Sequence, residues 1–225
     1  MNSAIIVAGG KGSRMNSSLP KQFLQLNDYP ILYYTLEKFF RNDYVDEIII
    51  VIHEDYLDSE HLLNSIPPFA DRGKYKIVSG GSTRQESVYK GFQNLASKSE
   101  IVLVHDGVRP FVSPDIISKN IRKCQEQNAI LTAYPATNTL KTVQDGIVQS
   151  TLDRDKIWQA QTPQTFEKKL LQKGLERARA QNITGTDEAS IVEKISNVHI
   201  LKGNKDNIKI THQEDLLIAK AILKG

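Results

Sequence analysis

One cysteine in 225 residues, Cys124, excludes an intrachain disulfide and fits a reducing compartment. Its place in a helix-period segment is that of a core thiol rather than a nucleophile. The five histidines (His53, His61, His105, His199 and His212) are scattered, and neither CxxC nor HExxH occurs, so nothing suggests a structural zinc. No apolar run approaches the length that crosses a bilayer, and no membrane partner is expected. The first residues lack a cationic stretch followed by a long apolar one, so no secretory leader is expected and a cytoplasmic location is. A net charge of +3 gives little reason to expect nucleic acid as a partner. The GxxxxGK[ST] loop is also missing. A hard cation such as Mg²⁺, held by one carboxylate and substrate phosphates, would leave little trace.

What is present is an alternation. Ala4–Ala8, Val45–Ile52, Tyr75–Ser79, Ile101–Val104, Ala129–Tyr134 and Val198–Leu201 read as strands, mostly buried on both faces. Between them, Ile31–Phe40, Thr83–Leu95, Pro114–Gln127 and Gln213–Leu223 carry helical periodicity, with Ser113-Pro114 as a start signal. This predicts an α/β fold: a doubly wound, mostly parallel, Rossmann-like sheet. The alternation weakens after Pro135, where short alternating stretches flank Gln144-Asp145-Gly146. A projecting two-stranded arm is expected there. An isolated hairpin is marginal, so it needs something to pack on, such as a second subunit. The expected organisation is a single domain, 1–225, with 136–160 as a dimerisation arm.

Chemistry gathers at strand ends. The first strand runs into Ala8-Gly9-Gly10, then Gly12, Arg14 and Lys21. Bare N–H groups in such a loop, with two cations close behind, suit a polyphosphate. A dinucleotide fingerprint would need a third glycine where Met15 stands, although Glu54 beyond the second strand imitates a ribose-binding acid. Asp106 and Arg109 follow the apolar run Ile101–Val104, where ligands bind in open parallel sheets. Asp106 there can hold a cation that bridges phosphates. His105 has no partner orienting it as a base and reads as structural. A second glycine turn, Gly80-Gly81, opens a helix bearing Ser87; Ser82 and Thr83 read as caps. Lys209 lies between Ile208 and Ile210. If those face the core, it projects oppositely, towards a cleft, although periodicity alone favours a solvated lysine.

The ordered set AGGKGSRM, LPKQF, GGSTRQESV, VHDGVRPFV, NTLK, TPQTF, TDEAS and NIKITHQEDL resembles the cytidylyltransferases that act on 2-C-methyl-D-erythritol 4-phosphate. The resemblance covers nearly the whole chain. It implies CTP and a small polyol phosphate as substrates, Mg²⁺ or another divalent cation, and a homodimer joined by the arm. Arg14, Lys21 and Lys209 match the family's catalytic cations. Ala8, Gly9, Gly10, Gly12, Gly81, Ser87 and Asp106 match its nucleotide surround, with Asp106 the metal ligand. Arg109, Thr139, Arg154 and Thr162 match its acceptor contacts, some of them reaching the partner subunit's site. Family members commonly carry Asp-Thr where this chain has Asn138-Thr139. Ribitol or ribulose 5-phosphate therefore stays open as the acceptor. A nicotinamide-dependent oxidoreductase and a non-catalytic nucleotide-binding protein are the alternatives from other classes.

Overall fold

The computed structural model describes residues 1–10, 17 and 19–224. In chain order the elements are β1 (Asn2–Ala8), β2 (Gln25–Leu26), β3 (Tyr29–Pro30), α1 (Ile31–Phe40), β4 (Glu47–Ile52), α2 (Glu60–Leu63), β5 (Tyr75–Ser79), α3 (Arg84–Gln93) and β6 (Ile101–Asp106). They continue with α4 (Pro114–Gln127), β7 (Ala129–Pro135), β8 (Lys141–Gln144), β9 (Ile147–Thr151), β10 (Trp158–Glu167), α5 (Lys168–Ala180), α6 (Glu188–Val192), β11 (His199–Lys202) and α7 (Gln213–Ile222). Seven strands form the main sheet in the order β11-β7-β10-β6-β1-β4-β5. All neighbours are parallel except β10, which runs antiparallel to both β6 and β7.

The apolar strands are continuous because both faces of the sheet are covered. Ala4, Ile6 and Ala8 of β1 pack with Ile48, Ile50 and Ile52 against the side carrying α1 and α4. The alternate residues Ile5, Ile49 and Val51 pack with Val88 and Phe92 of α3 and with Leu171 and Leu175 of α5 on the other side. Helix starts follow local chemistry. Ser113 Oγ accepts from the Ile116 amide ahead of Pro114, and Thr83 Oγ1 accepts from the Glu86 amide.

The expected doubly wound, mostly parallel sheet is therefore present. The elements not expected are the short β2–β3 pair, α2, α5 and α6, and β10 as an antiparallel strand inserted between β6 and β7. The arm's hairpin, β8 with β9, turns at Asp145 and Gly146, both with positive φ (51° and 76°). Every residue of its two strands is exposed. Trp158–Ala160, inside the 136–160 span, pair with Pro135–Ala133 and belong to the main sheet. β6 also runs two residues beyond the expected Val104, so Asp106 is its last residue rather than part of a following turn.

Candidate active site

The C-terminal ends of β1, β4, β5 and β6 open onto a cleft of about 670 Å³. Ala8, Gly9, Gly10, Gly81, Ser87, Lys21, Asp106 and Lys209, eight of the expected site residues, all line it. Gly12 and Arg14 lie outside the described residues. The glycine loop is tied to the segment that carries Lys21: Gln22 Nε2 donates to the carbonyls of Ala8 (2.6 Å) and Gly10 (3.1 Å). Lys21 Nζ donates to the Ile210 carbonyl at 3.0 Å. The second glycine turn is braced as well. Ser87 Oγ accepts from the Gly81 amide and donates to the Thr83 carbonyl, and Lys90 Nζ donates to the Gly80 carbonyl.

Asp106 is the centre of the charge. Its Oδ1 accepts from Arg84 Nε at 3.1 Å; its Oδ2 meets Lys209 Nζ at 3.0 Å and Arg109 Nε at 3.3 Å. Burial alone pushes this carboxyl up, but Arg84, Lys209 and Arg109 together hold it well below the usual carboxylate range. Arg84 continues to a second buried acid. Its Nη1 and Nη2 donate to Glu188 Oε1 and Oε2 at 2.7 and 3.0 Å. Burial pushes the Glu188 carboxyl upward against that fork. Three cations against two carboxylates leave a surplus positive charge at the cleft wall. Lys209, 37% exposed, is its most accessible member.

Lys209 reaches Asp106 because Ile208 and Ile210 both pack with the core cluster of Leu26, Ile31 and Val108, turning the lysine to the other side. The 107 position is a close approach. A Cβ on Gly107 would stand 2.8 Å from Ala8 Cβ and 3.2 Å from the Val7 carbonyl, so only glycine lets this turn lie against β1.

Arg109 and Thr162 point inward rather than into the cleft. Arg109 gives Nε to Asp106 and Nη1 to the Asn207 carbonyl. Thr162 Oγ1 accepts from the Asp106 amide and bonds His105 Nδ1 at 2.9 Å. Both brace Asp106 from behind. His105 is fully buried, and its imidazole is pushed down to about 3 by that burial. It is a neutral structural group, as expected. Thr139 and Arg154 sit on the exposed arm, away from this chain's cleft; Arg154 Nη1 donates to the Thr137 carbonyl. Sequence reasoning gave no role to Arg84, Glu188 or Gln22. Arg84 and Glu188 do lie inside the motifs GGSTRQESV and TDEAS, but their pairing spans 104 residues and has no local signal.

The model of the family IspD, 2-C-methyl-D-erythritol 4-phosphate cytidylyltransferase, matches residues 2–225. A protein of that name from Clostridioides difficile (strain 630) is 41% identical, over 99% of this chain and 94% of its own length. One from Syntrophus aciditrophicus (strain SB) is 42% identical, over 98% and 95%. The crystal structure of 4-diphosphocytidyl-2C-methyl-D-erythritol synthase from Anaerococcus prevotii superposes with a TM-score of 0.87 at 36% identity, over 100% of this chain and 96% of that one. The Francisella tularensis cytidylyltransferase superposes with a TM-score of 0.81 at 34% identity, over 98% of both chains. With the family model, the relatives and the fold all matched over nearly the whole length, the chain belongs to the 2-C-methyl-D-erythritol 4-phosphate cytidylyltransferase family.

Proposed function

We propose that this chain transfers CMP from CTP to the phosphate of 2-C-methyl-D-erythritol 4-phosphate, for isoprenoid precursor synthesis. The observation that carries the reading is the surplus of cations around a buried carboxylate, at the mouth of a glycine-lined cleft. A phosphate oxygen of the acceptor attacks the α-phosphorus of CTP. A new P–O bond forms, the bond to the bridging oxygen breaks, and pyrophosphate leaves with that electron pair. A phosphate monoester dianion is already a nucleophile, so no side chain need act as a base. His105, neutral and committed to Thr162 and the Arg109 carbonyl, is not asked to. The work is to hold two anions together and offset charge as it develops. Lys21 and Lys209 supply that from the described residues, and Arg14 is assigned the same role. Ala8–Gly10 and the turn at Gly81, with Ser87, surround the nucleotide.

Among the described residues, no group of three or more His, Cys, Asp or Glu side chains could hold a metal ion by itself. Asp106 nonetheless fits a divalent cation shared with phosphates. A carboxylate offers about four acceptor positions, and three donors meet this one. Asp106 would hold Mg²⁺, which, when bound, neutralises phosphate charge. The arm supports a homodimer: Val143, Ile147 and Val148 are 58%, 65% and 57% exposed on a hairpin with little core of its own. Across that interface Thr139 and Arg154 would serve the partner's acceptor site, and Asn138 lies beside them.

A pyrophosphate-release panel tests the reading: CTP, UTP and ATP, each with methylerythritol, ribitol or ribulose phosphate. Release with CTP and the methylerythritol phosphate is expected. Release only with ribitol 5-phosphate would overturn the acceptor. No release with any pair would overturn the transferase reading.

A further inference from the structure

Arg84 touches both buried acids, and how its donors are divided between them matters. Both Nη atoms go to Glu188, and only Nε is left for Asp106. Glu188 is 1% exposed and cannot move away into solvent. Its place is set from the sheet. Gln164 of β10 pairs with Val104 of β6, two residues before Asp106. The same Gln164 donates to Asp187 Oδ2 and accepts from the Ala189 amide, both at 2.8 Å, clamping the residues on either side of Glu188. The guanidinium is a rigid planar fork, so fixing two nitrogens aims the third. A fork released from Glu188 is free to turn a second donor onto Asp106 Oδ1, the oxygen that Arg84 Nε already meets, and so fill that acceptor position.

We propose that Glu188 is a positioning residue: by retaining the Arg84 fork, it keeps one acceptor position of Asp106 available to a divalent cation. This rests on the metal and nucleotide assignment above. The test is Mn²⁺ binding followed by electron paramagnetic resonance, with CTP present and acceptor omitted, so that nothing turns over. Glu188→Gln should weaken Mn²⁺ binding about 10–100-fold, the usual scale for losing a group that orients a metal ligand. The Mg²⁺ concentration needed for half-maximal pyrophosphate release should rise with it. Removing the fork as well, in Arg84→Met/Glu188→Gln, should return Mn²⁺ affinity to the wild-type value or tighter. A purely structural role for Glu188 does not produce that reversal.

Breaking a buried pair one partner at a time is costly, so Glu188→Asp serves if Glu188→Gln does not fold. It keeps the charge but draws the carboxylate back from the fork, and weakening in the same direction is expected. Wild-type affinity in either single variant, or a double variant as weak as the single, would overturn the proposal. So would a wild-type protein that binds no Mn²⁺ with CTP. A wild type that binds Mn²⁺ with CTP but releases no pyrophosphate would instead count against the transferase reading alone.

Discussion

Acidification probes the hydrogen bonds behind Asp106. The Arg109 carbonyl can only accept, so its partner His105 Nε2 must carry the imidazole proton. His105 Nδ1 is then an acceptor, Thr162 donates to it, and the Thr162 oxygen is left to accept from the Asp106 amide. A protonated imidazole would make Thr162 Oγ1 accept from both His105 Nδ1 and the Asp106 amide and take away the acceptor of its own hydroxyl proton. Burial accordingly pushes His105 down to about 3 from its ordinary 6.5. The unfolded chain therefore binds a proton that the folded chain refuses between those two values. Stability rises with pH across that window and is lost on acidification through it. From about pH 7 to about pH 5 this one group removes about 2 kcal/mol, which for a chain of this size is about 4–8 °C in Tm. Asp106 acts lower. Its pKa is depressed, so its stabilisation is present above the ordinary 3.8 and is lost only as pH falls below that. The assay is calorimetry of the wild type and His105→Gln at both pH values. The glutamine amide can donate to the Arg109 carbonyl without titrating, and all other groups cancel in the comparison. The wild type should lose about 4–8 °C more than the variant between the two pH values. Equal losses would refute the reasoning.

Lys21→Ala should lower turnover at least ~10²-fold with the fold intact, the scale for one preorganised electrostatic partner; near-normal turnover would remove its assigned role. Ile147→Asp, on the exposed face of the arm, should convert a sedimenting dimer to monomer, and a wild type that sediments as a monomer would sink the arm's role. Cys124, its thiol pushed up to about 12 by burial, should resist an aromatic disulfide reagent in the folded protein and react on unfolding. Fast reaction in the folded state would contradict its burial.

The legible part of the fold was the part with local periodicity. Ile31–Phe40 and Pro114–Gln127 form helices over those residues because an apolar stripe and, for the second, a serine cap mark them in the chain itself. β10 was hidden because its run, WQAQTPQTFE, carries few apolar residues and a proline. Its burial comes from lying between β6 and β7, which only tertiary context supplies. The site divides along the same line. Ala8–Gly10 and Asp106 were visible because strand ends announce themselves, and Lys21 as a cation following the glycine loop. Lys209 was visible only as an alternation between two isoleucines. Arg109 and Thr162 were named for the site, yet their direction depends on partners far along the chain: the Asn207 carbonyl and His105. Residue type in a motif reports which chemistry is available. Which way a polar side chain faces is settled by its non-local hydrogen bonds.

The two ends of the sheet show why function sits where it does. At the N-terminal ends of the strands, Glu47 is also buried, but its neighbourhood is closed. It accepts from Ser3 Oγ at 2.8 Å, the Ala96 amide at 3.0 Å and Lys76 Nζ at 3.0 Å. One acid meets one cation and two neutral donors, with no surplus. At the C-terminal ends, Arg84, Arg109 and Lys209 outnumber Asp106 and Glu188, with Lys21 close by. Buried charge is costly unless it is matched. The first cluster is matched by the chain alone and works as a staple. The second holds cations beyond what its carboxylates neutralise, on a wall shared with glycine turns. An anion is what such a wall lacks, and a nucleoside triphosphate meeting a polyol phosphate brings anions at the point where phosphoryl chemistry needs cations.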